Sequence, residues 1–233
     1  RDLEAGDLRD RVAALTEPSR PLAGHPLLRS NEQGAALLVV VASDKGLCGA
    51  FNSHVLKQSE AYYRELAANG QAVSLITIGT KASRYFSKRG IEPAKVFNGL
   101  ISRLQFADAD HLAAELQELF LAGGFLRVEF AFSEFVSASR QQFSIRRLLP
   151  VSIDPLPAPE DDAAAARVDY IVEPGADALF QSLLPRHISA AVYQVLLQSM
   201  AAEQVARMVA MDLATRNASD MIRALTLLLN KMR

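Results

Sequence analysis

Residues 186–233 read RHISAAVYQVLLQSMAAEQVARMVAMDLATRNASDMIRALTLLLNKMR, with no glycine or proline in the run. Ala, Leu, Met, Gln, Arg and Glu dominate it, and these side chains lose little freedom on a helical backbone. At 1.5 Å per residue, one helix over this stretch is a rod on the order of 70 Å long, more than twice the width of a small domain. Ile188, Val195, Ala202 and Val209 repeat every seven residues, with Val192, Ser199, Ala206 and Leu213 at the companion positions of a coiled-coil seam. Between Leu213 and Met221 the register slips by about four residues, a stutter, before Leu225, Leu228 and Met232 resume it. Ala202, Ala206, Ala210, Ala214 and Ala218 form a row of small side chains that lets another helix come close. Ordinary core helices run about 8–20 residues. The run is therefore read as a rod that cannot be buried in its own fold and needs a partner from outside the chain.

The remaining residues have to supply one domain. Of the 233 residues, 50% are hydrophobic and 22% charged, enough for one domain of ordinary size plus the rod. A net charge of −1 provides no electrostatic footprint for DNA or RNA, so nucleic acid is not an expected partner. The longest uncharged apolar run, residues 35–42, is far short of the roughly 20 residues that cross a bilayer. No cationic, apolar leader opens the sequence, so any association with a membrane is expected to run through a complex. The single cysteine, Cys48, excludes an intrachain disulfide and a cysteine metal cluster, and fits a reducing compartment.

Leu8, Val12 and Leu15 predict an amphipathic helix over residues 1–15, ended by Pro18 and Pro21, and its abrupt start reads as the tail of a longer helix. Residues 21–33 form a connector. Residues 36–42, ALLVVVA, suit a strand covered on both faces. A turn from Ser43 to Gly49 comes next, then a helix capped by Asn52 or Ser53 and closed at Asn69-Gly70. The unit repeats with a strand over 72–78, a helix over 80–88, and a weak strand at Lys95, Val96 and Phe97. Leu112, Leu116, Leu119 and Phe120 then mark a helix that ends at Gly123-Gly124. This alternation predicts an open, parallel, Rossmann-like α/β sheet with flanking helices. Val128, Phe130 and Phe132 alternate with Glu129, Ala131 and Ser133, predicting a strand with one wet face, paired with residues 143–151. Residues 154–166 read as a surface loop and 169–172 as a last short strand. A helical piece then reaches Leu184, and Pro185 is either a kink or the first position of the rod. The expected division is 1–33 for the end of an N-terminal helix and its connector, 34–175 for the base domain, and 176–233 for the long helix.

Few residues offer chemistry. Gly46-Leu47-Cys48-Gly49 sits between a strand and a helix, where dinucleotide-binding folds hold a pyrophosphate. The third glycine of that fingerprint is missing, however, so a tight turn is the plainer interpretation. His25, His54, His111 and His187 are scattered, without a His-Glu-x-x-His pair. Asp108, next to Asp110 and His111, suits a helix cap better than a metal site. The Asn217-Ala218-Ser219 sequon falls within the predicted rod, and no Gly-x-Ser-x-Gly elbow is present. Glu203 and Arg207 are four apart in the favoured order and can pair along the helix. Alternatively Glu203, Arg207, Arg216, Asn217 and Asp220 face other subunits, concentrated where the seam slips.

Two stretches carry a resemblance. Ser43-Asp44-Lys45-Gly46-Leu47-Cys48-Gly49-Ala50-Phe51-Asn52 resembles the Ser-Asp-Arg/Lys-Gly-Leu-Cys-Gly-Gly-Phe-Asn signature of gamma subunits of F-type ATP synthases. The rod is similar to their C-terminal helix from Glu203-Gln204-Val205-Ala206-Arg207-Met208 through Ala214-Thr215-Arg216-Asn217-Ala218-Ser219-Asp220 to Asn230-Lys231. Leu183-Leu184-Pro185-Arg186 and Tyr170-Ile171-Val172-Glu173-Pro174 also fit. The resemblance implies a shaft of two antiparallel helices inside a ring of alternating alpha and beta subunits. Its Rossmann-like base touches the epsilon subunit and the membrane c-ring. It also implies that the family's N-terminal helix precedes residue 1 and that a helical tail continues past residue 233, so the long helix is half of an antiparallel coiled coil.

By resemblance, Glu203, Arg207, Arg216, Asn217, Asp220, Asn230, Lys231 and Arg233 contact the catalytic ring, and Tyr170 and Glu173 face epsilon or the c-ring. Asp212 and Arg216 depart from the commoner Lys and Asp, which moves charge along the shaft. The cysteine-bearing insert of the light-regulated chloroplast type is missing. The likeness to this family implies a noncatalytic central-stalk subunit with no cofactor, peripheral on the cytoplasmic face of a bacterial plasma membrane ahead of the matrix side of a mitochondrial one. Such a subunit would couple proton or sodium flow to ATP synthesis or hydrolysis. The competing reading is a nucleotide-dependent α/β enzyme with a helical oligomerisation arm.

Overall fold

The computed structural model describes residues 25–29, 31, 34–137, 140–152 and 176–233. The expected helix over 1–15, the loop over 154–166 and the strand over 169–172 lie outside them. The apolar run forms β1 (Ala35–Val41). It pairs in parallel with β2 (Val73–Ile78) on one side and β4 (Phe125–Phe135) on the other. β3 (Lys95–Phe97) joins β2 in parallel, and β5 (Gln141–Leu149) folds back antiparallel on β4. The sheet order is β3-β2-β1-β4-β5, with helices α1 (Phe51–Ala68), α2 (Thr80–Ser87) and α3 (Phe106–Leu121) in the crossovers. The parallel alternation and the third short strand are as expected.

Because successive side chains of a strand point to opposite faces, β1 divides between two cores. Leu37, Val39 and Val41 join Phe130 and Phe132 of β4 and Leu112, Leu116 and Phe120 of α3. Leu38, Val40 and Ala42 meet Val55 and Leu56 of α1 and Ala82 and Phe86 of α2. The same double cover overturns the wet face expected for β4. Val128 through Ser133 are all buried, because α1 lies across the side that carries Glu129, Ala131 and Ser133. Glu129 finds partners there in the Tyr62 hydroxyl at 2.7 Å, Arg127 at 3.2 Å and Arg147 at 3.8 Å. Burial, together with that carboxylate, pushes the Tyr62 hydroxyl up to about 12.

The long helix α4 (Ala176–Met232) begins ten residues before the glycine- and proline-free run, and Pro185 lies inside it. Proline in a helix interior removes one backbone bond and crowds the preceding turn, a cost that neighbouring packing offsets here. Phe180, Leu184, Ile188, Val192, Val195 and Leu196 all belong to the core beneath α3 and β4. Ser189 adds a polar tie, its hydroxyl 2.6 Å from the Asp110 carboxylate of α3. The expectation that the rod cannot be buried in its own fold is thus wrong for its first half. Ile188, Val192 and Val195, read as a seam for a foreign helix, face the chain's own sheet. Apolar heptad spacing marks a covered stripe without specifying what covers it.

One backbone position fixes how β2 passes into α2. Gly79 adopts φ 96°, and a Cβ there would lie 2.0 Å from the Ala42 carbonyl oxygen. Replacing Gly79 with Ala therefore forces the end of β1 away from the α2 turn. The expected result is a loss of at least about 3 kcal/mol in urea unfolding. A midpoint indistinguishable from the parent would show that the close approach carries no strain.

Candidate functional site

The turn after β1 is built from its own polar groups. The Ser43 backbone N–H donates to Asn52 Oδ1 at 3.1 Å. The Ser43 hydroxyl lies 2.5 Å from the Lys45 carbonyl and 2.9 Å from Asn52 Oδ1, and its one proton serves one acceptor at a time. Asn52 Nδ2 donates to Cys48 Sγ at 3.1 Å. Asn52 therefore braces the turn rather than capping α1, whose N-cap position is Ala50. Leu47 at φ 64° and Gly49 at φ 56° carry the reversal, and Leu47 holds its side chain in the open.

Asp44 ties this turn to the rest of the sheet's carboxyl edge. One oxygen accepts from the Thr80 backbone N–H at 3.1 Å, the Thr80 hydroxyl at 3.2 Å and the Gly99 N–H at 3.0 Å. The other accepts from the Ser102 hydroxyl at 3.1 Å. Partial burial pushes the carboxyl up. The Gly99 and Thr80 N–H groups and the Ser102 and Thr80 hydroxyls outweigh it and hold the group below its ordinary value. Asp44 does the work of an N-cap for α2, whose own N-cap position is the side-chainless Gly79.

The far side of the turn meets the long helix. Cys48 and Phe51 are buried together with Ala202, and Ala206 packs on the same cluster. A Cβ built on Gly49 would lie 3.8 Å from the Ala210 Cβ. Gly49, which a dinucleotide site would keep bare for a pyrophosphate, here faces α4. The lower part of the alanine row thus seats the chain's own turn instead of a foreign helix.

The other candidate residues divide along α4. Glu203 is 6% exposed and bonded at 2.5 Å to Arg207, which also reaches Gln204 at 3.0 Å. Arg216 pairs with Asp212 at 2.8 Å and Asp220 with Arg223 at 3.7 Å, all four exposed. Asn217, Asn230, Lys231 and Arg233 are exposed as well. Tyr170 and Glu173 lie outside the described residues. From Met211 onward every residue of the chain is exposed. Between Met208 and Met232 eleven large apolar side chains stand in the open, with Leu229 at 68% and Met232 at 80%. At about 100° per residue the upper stripe of Met221, Leu225, Leu228 and Met232 sits roughly a quarter turn round from Ala202, Ala206, Val209 and Leu213.

Among the described residues no three His, Cys, Asp or Glu side chains gather as metal ligands would. Asp108 returns its carboxylate to the Gln105 N–H at the start of α3, and Asp110 turns to Ser189. Among the described residues no helix is long and apolar enough to cross a membrane. Periodicity could not have found the Asn52–Ser43 brace, the Gly99 and Ser102 donors to Asp44 or the Ser189–Asp110 tie. Each joins residues whose proximity is created by the turn or the fold.

The Asp44 bonds predict a pH signature. A carboxyl held below its ordinary value of 3.8 contributes stability that is present above that value and is lost as pH falls through the lower folded value. Asp44→Asn should therefore cost about 1.5 kcal/mol near neutral pH. The gap between variant and parent should begin to narrow below about pH 4 and go on shrinking with further acidification in urea titrations run at stepped pH. A gap that does not narrow at all as pH is stepped down to the acid limit of the folded state would assign the loss to shape rather than charge.

A family profile described as ATP synthase matches residues 5–233. The ATP synthase gamma chain of Pelotomaculum thermopropionicum is 40% identical over 209 residues, covering 90% of this chain and 71% of that one. That of an Anaeromyxobacter species is 39% identical over 223 residues, covering 96% and 75%. Among solved structures, the fold matches a chain of the Tetrahymena thermophila mitochondrial ATP synthase central stalk and c-ring with a TM-score of 0.62. Identity there is 22%, over 91% of this chain and 86% of that one. It also matches a chain of the Euglena gracilis mitochondrial ATP synthase rotor, with a TM-score of 0.63 at 18% identity, over 100% and 83%. The profile match and relatives this similar over nearly the whole sequence show that the chain belongs to the family of ATP synthase gamma chains.

Proposed function

We propose that the chain is the noncatalytic rotor shaft of an ATP synthase, turning inside a ring of alternating alpha and beta subunits. As a member of the gamma chain family it is a central-stalk component of that complex. The observation that carries the mechanical reading is the free half of α4, with eleven exposed large apolar side chains from Met208 to Met232. Leu227, Leu228 and Leu229 are consecutive, so at about 100° per residue they face three directions. A single partner helix covers one stripe, whereas a sleeve covers all three. That supports a ring around the tip, with Arg216, Asn217, Asp220, Asn230, Lys231 and Arg233 as polar contacts to it. Glu203 and Arg207 sit at the base of this exposed half.

The base then faces the epsilon subunit and the membrane c-ring, contacts that the resemblance assigns to Tyr170 and Glu173. The relatives named above are bacterial gamma chains, which supports a peripheral position on the cytoplasmic face of the plasma membrane. The Tetrahymena neighbour is described as a central stalk with its c-ring, which supports the c-ring as the base's partner. Turning the c-ring by proton or sodium flow turns the base and the helix with it. An asymmetric shaft favours a different conformation in each catalytic subunit around the ring, so rotation shifts nucleotide affinities as a linked equilibrium.

Replacing Leu228 and Leu229 together with Lys leaves the base untouched while placing charge on two faces of the tip. Each buried leucine is worth about 1.5–3 kcal/mol. Incorporation of the variant into complexes reconstituted with alpha and beta subunits should therefore fall at least about tenfold. The unmodified chain should appear once per ring by native mass measurement. A homo-oligomer without other subunits, or micromolar binding of ATP or NAD by the isolated chain at the Gly46 turn, would instead favour the enzyme reading.

A further inference from the structure

We propose that the turn from Ser43 to Asn52 is the upper bearing that clamps the long helix to the base, with Cys48, Gly49 and Phe51 as positioning residues that set its torsional stiffness. The inference rests on the rotor-shaft reading. Two fixtures join α4 to the base at different heights. The lower one is the packed core around Ile188 and Val192, with Ser189 tied to Asp110. The upper one is the cluster of Cys48 and Phe51 with Ala202 and Ala206, beside which Gly49 turns its Cα toward Ala210. Beyond Ala210 no described residue covers the helix.

Several observations mark the turn as stiff. It holds Leu47 in a left-handed conformation that a non-glycine residue adopts at a cost. It is cross-braced internally by Ser43, Asn52 and Cys48. Through Asp44 it is tied to Thr80 at the start of α2 and to Gly99 and Ser102 beyond β3. Pressure from the helix is therefore carried into the central strand and two crossovers at once, and not into a free loop.

Unsupported length sets the mechanical consequence. With the turn engaged, the last residues of the helix that the base packs against are Ala202 and Ala206; with the turn disengaged, the last is Met200 on the lower core. Twist per unit torque scales with the length between supports, so moving the base's last hold back toward Met200 lengthens the span up to the ring and should raise the compliance of this part of the shaft.

The test uses the assembled synthase, with its catalytic ring fixed to a surface, halted by nucleotide, and a probe on the base to report angular variance. Phe51→Ala is expected to widen the variance beyond that of the parent. Cys48→Ala, a milder loosening, should widen it in the same direction, and Phe51→Leu should restore most of the parent value. Phe86→Ala opens a buried site in the core on the face of the sheet away from α4. It should lower thermal stability without changing the variance. Unchanged variance in assembled Phe51→Ala and Cys48→Ala complexes, or equal widening by Phe86→Ala, would overturn the bearing. Failure of the unmodified chain to co-purify with the catalytic ring would remove the shaft reading itself, which the same preparation reveals before any variance is measured.

Discussion

Everything beyond the sheet depends on how the first half of α4 is buried. Ile188, Val192, Val195 and Leu196 lie in one continuous core with Leu112, Leu116 and Phe120 of α3 and Phe130 and Phe132 of β4. Close packing of this kind fixes direction as well as stability, since side chains that interdigitate leave few alternative settings. A helix anchored over several turns projects its remaining residues along a defined line. Had the anchor been a single turn, the exposed half would have no reproducible position relative to the base, and a rotor could not use it.

The same burial explains why the sheet reads so clearly from the residues and the helix only in part. β1 is apolar at every position because both faces are covered, and its neighbours alternate with helices in a regular way. β4 is harder, since Glu129 and Ser133 signal water, yet α1 covers them and Tyr62, Arg127 and Arg147 replace solvent around the carboxylate. The helix shows the limit of pattern. Ile188 and Val209 occupy equivalent heptad positions, but one is fully buried in the base and the other is 44% exposed. A seven-residue repeat records that a stripe meets something apolar, and nothing in the repeat distinguishes the chain's own sheet from another subunit.

The turn is legible as a signature but not as a structure. Its glycine pair first suggests phosphate, and the missing third glycine argues against it. Only the three-dimensional arrangement shows that Gly49 faces Ala210 and that Asp44 gathers donors from Thr80, Gly99 and Ser102. Those donors lie 36 to 58 residues away in sequence, beyond the reach of any local rule.

The ion pairs of the exposed helix have a bearing on motion. Arg216 with Asp212, and Arg223 with Asp220, each join opposite charges within one helical turn, and Glu203 with Arg207 does so at the base. The first two pairs are exposed and add little to stability. Their effect on the surroundings is different: a paired charge presents a dipole, whose field falls off faster with distance than that of a lone charge, and salt screens what remains. Between Asp212 and Arg223, charge neutralised in this way slides past successive neighbours over shallow electrostatic wells, so along that stretch the angular landscape is left to shape more than to charge.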